Sequence, residues 1–119
     1  MATFARTLLK RTTGVTGLAV HPQPLESLRG LYGETLEQLK KIPESAAYRR
    51  ETEALTTERL QIVKETTDVA VAEKAIGFGQ IEEAIQVAER ELRLVHRMQQ
   101  WKPWENLIEK APEGQWARP

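Results

Sequence analysis

The sequence predicts an all-α fold: a small helical bundle of three main helices plus one short helix, between extended N- and C-terminal arms. Three observations carry that expectation. Apolar residues recur at three- and four-residue steps through three long runs, so each run stacks them on one helical face. Proline is absent from inside those runs and present at their borders, where it disfavours continued helix. The chain has 119 residues, 40% hydrophobic and 29% charged, which suits one folded domain with a modest core rather than two. The expected organisation is an arm over residues 1–24, a bundle over 25–101 and an extended, tryptophan-containing tail over 102–119.

The N-terminal arm is basic. Arg6, Lys10 and Arg11 precede the first acid, Glu26, so the first 25 residues carry 3 − 0 = +3 and the remainder 14 − 17 = −3. MATFARTLLKRTT is rich in threonine and poor in acids, with Phe4, Leu8 and Leu9 as its apolar side. Such a composition fits a mitochondrial targeting element and fits a flexible basic terminus about equally well. His21-Pro22-Gln23-Pro24 is expected to be extended.

The first helix starts near Leu25, with Leu25, Leu28, Tyr32, Leu36, Leu39 and Ile42 on one stripe. Gly30 and Gly33 either weaken it, by up to ~1 kcal/mol each relative to alanine, or permit close helix approach. Pro43 ends this helix and is expected in the first turn of the next, with Glu44 beside the new N-terminus. The second helix runs from about Glu44 to Glu65, with Ala47, Tyr48, Leu55, Leu60, Ile62 and Val63 as its apolar side. Thr66-Thr67-Asp68 reads as a break with capping groups, and a short third helix ends at Gly77, suited to a left-handed cap. The fourth helix, expected within the stretch Gly79 to Trp104, is the clearest. Ile81, Ala84, Ile85, Ala88, Leu92, Val95 and Gln99 share a face, and Glu82 and Glu83 suit the positive end of the helix dipole. Pro103 stops it near Trp101. The stripes of the first and fourth helices are expected to face each other, with Leu92 in the core and the second helix completing it.

Little in this pattern carries chemistry. Without cysteine there is no disulfide, thiolate metal site, cysteine-ligated cluster or thiol nucleophile. His21 and His96 lie in different elements with no third ligand at a metal-binding spacing, so no metal, cofactor or catalytic residue is assigned. Glu82 and Glu83 diverge by about 100° on a helix and do not form an acid/base pair. Gly77-Phe78-Gly79-Gln80 lacks the spacing and the Lys-Ser/Thr of a phosphate loop. The balanced charge lacks the footprint of a nucleic-acid binder, and no apolar run approaches the about 20 residues of a membrane span. Arg49, Arg50, Arg59, Arg90 and Arg93 leave one catalytic alternative: a bundle enzyme that holds an anionic substrate with clustered arginines. A free-standing helical adaptor is the other alternative.

The tryptophans weigh more. All three lie late in the chain, at Trp101, Trp104 and Trp116. Burying one such ring removes 150–250 Å² from water, worth roughly 4–6 kcal/mol as an upper bound, against about 0–1 kcal/mol for an exposed ion pair. One of Trp101 and Trp104 is expected to cap the core, and Trp104 or Trp116 to meet a partner. The candidate partner-binding residues are therefore Trp101, Trp104 and Trp116, with Arg49 and Arg50.

Several segments carry a specific resemblance. They are TTGVTGLAV (Thr12 to Val20), LYGETLEQLKKIPESAAYRRETEALTTERL (Leu31 to Leu60), GQIEEAI (Gly79 to Ile85), AERELRL (Ala88 to Leu94) and WKPWENL (Trp101 to Leu107). Together, in this order, they resemble the alpha subcomplex subunit 5 family of accessory subunits of mitochondrial respiratory complex I, the NADH:ubiquinone oxidoreductase. The departures are local, at His21-Pro22-Gln23-Pro24 and at Phe78-Gly79. The resemblance implies a subunit of the peripheral arm, on the matrix side of the inner membrane, without a redox centre or active site of its own. It further implies contact with the thirty-kilodalton core subunit of that arm, a role in assembly or stability, and import directed by the basic N-terminus without loss of a long presequence.

Overall fold

A computed structural model describes residues 10–118. Among these residues there are four helices and no strand: α1 (Pro24–Leu39), α2 (Ala47–Glu65), α3 (Val69–Ile76) and α4 (Ile81–Trp101). The first nine residues of the targeting-like stretch lie outside the described residues.

Each boundary has a local cause. Pro24 opens α1, where a missing N–H costs nothing. The helix ends at Leu39, and the next turn is held by Ile42 N–H donating to Leu39 O. Pro43 does not enter the first turn of α2, which begins only at Ala47. Instead Ala46 N–H bonds to Pro43 O, closing a separate turn that buries Ile42 and Ala46. Asp68 caps α3 by accepting from Ala70 N–H, and Gly77, at φ 82°, terminates it in the left-handed conformation. α4 stops at Trp101 because Lys102 turns to φ 50° ahead of Pro103.

α1 is the centre of the bundle. It packs along α4 on one side and α2 on the other, while α3 bridges the remaining ends of α2 and α4. The stripes of α1 and α4 do face each other. Leu25, Leu28 and Tyr32 meet Ile81, Ala84, Ile85 and Ala88, with Val63 and Ala72 closing the cluster. Small side chains at Ala84 and Ala88 let a wide stripe of α1 come close. A second cluster joins Leu39, Ile42, Ala46 and Val95, partly covered by Leu36, Tyr48, Met98 and Trp104. Leu92 falls where α4 passes from one cluster to the other and is only half-buried, so it is not the core residue its stripe position suggests.

Polar ties lock these helices end to end. Arg29 Nε donates to Val63 O at 3.2 Å, and Gln99 Nε2 to Gln38 O at 2.8 Å. The first satisfies a last-turn carbonyl of the neighbouring helix, and the second adds a partner to a last-turn carbonyl that also accepts from Lys41 N–H. Gln99 sits in the apolar stripe for that reason. Gly30 and Gly33 have open space where a Cβ would stand, so neither glycine serves a close helix contact.

Candidate functional site

Two ends of the bundle carry the polar and aromatic features, and they do different work. At the first end the N-terminal arm folds over the start of α4. Gly14 and Gly17, at φ 75° and 80°, wind residues 13–18 into a loop closed by Thr13 Oγ1 donating to Leu18 O. Gln80, just before α4, donates through Nε2 to Thr13 O and accepts from Lys10 Nζ. Lys10 also faces Glu82 Oε1 at 2.5 Å and Glu73 Oε1 at 3.8 Å. His21 N–H donates to the other Glu82 oxygen at 3.3 Å.

Glu82 is 4% exposed, the one buried carboxylate among the described residues. Burial pushes its carboxyl pKa upward, but Lys10 and the His21 amide outweigh that and hold it below the ordinary value. The Oε1 contact with Lys10 is an ion pair rather than a directed hydrogen bond. Nearby, Glu83 Oε2 accepts from Gln80 N–H at 2.8 Å, and Glu73 Oε1 accepts from Ile81 N–H at 2.9 Å. Three carboxylates thus gather at the positive end of the α4 dipole, and two of them satisfy backbone donors there. A cavity of about 450 Å³ lies between the arm, α3 and α4, with Lys10, His21, Glu73 and Glu82 on its polar side.

The second end holds the sequence-derived partner residues. Trp104 packs on the Leu39, Ile42, Ala46 and Val95 cluster and is half-buried, so it rather than Trp101 covers the core. Trp101 is 60% exposed, with the Arg97 guanidinium 5.9 Å from its ring centre. Trp116 is 86% exposed, out on the tail. Tyr48 donates its hydroxyl to Glu91 Oε1 at 2.7 Å, and burial together with that bond raises the phenol pKa. The tail, expected to be extended, carries three hydrogen-bonded turns among its described residues: Glu105 N–H to Lys102 O, Gln115 N–H to Pro112 O and Ala117 N–H to Gly114 O.

The arginines separate. Arg49 donates through Nη1 to Ile42 O at 2.7 Å and through Nε to Glu53 at 3.1 Å, which ties the α1–α2 turn to α2. Its neighbour Arg50 is exposed, in a shallow groove with Glu44, Glu53, Ala54 and Thr57. Arg59 lies over the Phe78 ring at 4.5 Å. Ten residues of helix, about 15 Å, separate it from Arg49. Arg90 and Arg93 are exposed on α4. Arg49 and Arg59 are thus held at different places on the bundle, by different partners. His21 accepts the Gln23 N–H through Nδ1, and His96 is exposed on α4.

Two features escaped the sequence reading. Glu82 looks like an ordinary first-turn acid; only its pairing with a residue 72 positions earlier makes it a buried clasp. Leu107 and Ile108, 81% and 100% exposed, stand in solvent on a tail where the sequence reading singles out only the tryptophans. A signal was present in the second case: an apolar pair in a segment too short and proline-bounded to bury it.

Comparison with known proteins gives a family. Residues 17–83 match the family described as ETC complex I subunit conserved region, which covers α1, α2 and α3. NADH dehydrogenase (ubiquinone) 1 alpha subcomplex subunit 5 of Bos taurus is 51% identical over 112 residues, 94% of this chain and 97% of that protein. The Mus musculus protein of the same name is 49% identical over the same shares of both chains. An Arabidopsis thaliana protein named probable NADH dehydrogenase (ubiquinone) 1 alpha subcomplex subunit 5, mitochondrial, is 42% identical over 81% of this chain and 57% of its own length. At half identity across nearly the whole length of the mammalian proteins, the chain belongs to the complex I alpha subcomplex subunit 5 family.

Proposed function

We propose that this chain is a non-catalytic accessory subunit of mitochondrial respiratory complex I, peripheral on the matrix side of the inner membrane. It contributes to assembly and stability of the electron-transfer arm and contacts the thirty-kilodalton core subunit there. The observation that carries the reading is the 51% identity over 97% of a complex I alpha subcomplex subunit 5. Its geometry agrees. No helix among the described residues is long and apolar enough to cross a membrane. Arg49 and Arg59 are each engaged with other parts of the chain, which removes support from the arginine-enzyme alternative. Trp101, Trp116 and Arg50 present exposed surface to a partner, with Trp104 fixing the root of the tail and Arg49 bracing the turn beneath it. The basic N-terminal stretch directs import.

Depleting the chain and restoring it with Arg49→Ala, Arg59→Ala or Arg90→Ala separates assembly from catalysis. The expected result is less assembled complex on depletion, with NADH:ubiquinone turnover per assembled complex unchanged in all three variants. Turnover by the isolated chain, abolished by one of these changes, would move the function to the arginines.

A further inference from the structure

We infer that the tail beyond Pro103 is a two-anchor docking peptide, seating Leu107–Ile108 and Trp116 in an uncharged apolar groove of a neighbouring protein subunit. The inference rests on the complex I reading and deepens it, because it names which side chains make the contact and what they meet.

The root of the tail is fixed by this chain itself. Lys102 N–H still bonds to Met98 O, the Lys102 backbone turns left-handed, Pro103 restricts the next step, and Trp104 lies on the core cluster. Trp104 is therefore a pivot, and its ring is largely used up at home. Beyond Glu105 the situation reverses. Leu107, Ile108 and Trp116 are 81%, 100% and 86% exposed. Among the described residues the backbone of 106–111 makes no hydrogen bond to the helices. Three large apolar side chains and a stretch of open backbone donors and acceptors are what an extended peptide offers to a groove.

Charge decides the kind of surface. Beyond Pro103, Lys110 and Arg118 are interspersed with Glu105, Glu109 and Glu113, so the docking segment carries 2 − 3 = −1. Glu109 directly follows Ile108, and Glu113 lies three residues before Trp116. A segment that lies on an anionic membrane needs an excess of lysine and arginine and usually an amphipathic helix, and this tail has neither. An uncharged apolar groove with a mixed polar rim on another protein fits it. The chain from Ile108 to Trp116 reaches at most about 29 Å, and the turns at Pro112–Gln115 and Gly114–Ala117 shorten it. Both anchors therefore lie within reach of one partner surface.

The test uses the full chain in the assembled complex. Leu107→Ser combined with Ile108→Ser, and separately Trp116→Ala, are each expected to lower incorporation about tenfold or more against wild type in competition. The thermal midpoint of the isolated chain should stay unchanged, since neither anchor touches its core. A photo-crosslinking phenylalanine derivative in place of Ile108 or Trp116 is expected to reach the same neighbouring protein subunit from both positions. Wild-type-like incorporation of both variants would overturn the inference. So would crosslinks to lipid or back onto this chain's own helices, or a lowered midpoint that assigns the anchors to its core. A wild-type chain that fails to join complex I would instead refute the family-based function on which the inference stands.

Discussion

Lys10→Met removes the only cation facing Glu82 within the described residues and leaves its carboxylate buried beside Glu73. Breaking a fully buried pair costs about 3–5 kcal/mol. Here the Lys10 side chain keeps 33% of its exposure, so water follows the ammonium and the cost drops to about 1–3 kcal/mol. At about 5 °C per kcal/mol for a chain of this size, the midpoint falls by roughly 5–15 °C near neutral pH. The pH dependence has a definite sign. In the wild type the Glu82 pKa is depressed, so its contribution is present above the ordinary carboxylate value of about 4.3 and fades as pH falls through the folded value. In the variant burial is opposed only by the His21 and Glu82 backbone amides, so acid protonates Glu82 earlier than in the wild type and relieves the penalty. The gap between the two proteins closes from both sides. Urea unfolding followed by helical circular dichroism, near pH 7 and near pH 4, measures it. In a cycle with Glu82→Gln, the double variant should recover part of the loss. A deficit below ~0.5 kcal/mol at neutral pH, or a gap as wide in acid, would refute the clasp.

Core and surface respond differently. Leu28→Ala, at a fully buried position, is expected to cost about 2–5 kcal/mol, and Leu92→Ala, half-buried between clusters, clearly less; equal losses in urea unfolding would contradict the packing. Gly33→Ala should stabilise the chain by up to ~1 kcal/mol, because a Cβ there meets nothing. Gly79→Ala should destabilise by ~1 kcal/mol or more, since its φ is 78° and a Cβ would strike the Glu83 carboxylate that caps α4; thermal midpoints of the two variants, moving in opposite directions, check both. Burial raises the Tyr32 and Tyr48 pKa values, with the bond to Glu91 adding to the rise at Tyr48. The neutral phenols therefore contribute stability that is complete below about pH 10 and is lost as pH rises beyond it. Tyrosinate absorbance should appear above that pH together with unfolding rather than before it.

The helices were legible because their causes are local. Asp68 and Gly77 mark α3, Pro103 marks the end of α4, and the α1 and α4 stripes point at each other from periodicity alone. What the sequence hid is long-range. The separation of 72 residues between Lys10 and Glu82 leaves no periodic trace, so a buried ion pair looked like a dipole acid. α1 rather than α4 is the central helix, because Leu31 on its shoulder and Tyr32 on its stripe let it pack on two neighbours, and the stronger amphipathicity of α4 means one face is solvated. The Pro43–Ala46 turn replaced the expected start of α2 because a separate turn buries Ile42 and Ala46. At the candidate surface, sequence located the tryptophans but could not divide them. Trp104 covers the core because Lys102 turns the chain back toward α2, and that leaves Trp101 and Trp116 outside.

The proposed function places the chain in the assembled respiratory complex. Mitochondria carrying the tagged chain, solubilised mildly and resolved on a sucrose gradient, measure it with in-gel NADH dehydrogenase activity as the marker. The expected result is co-migration of the chain with that activity at a fixed stoichiometry and none near its own 13.5 kDa. A chain found only at the top of the gradient, with complex I intact below it, would contradict the account.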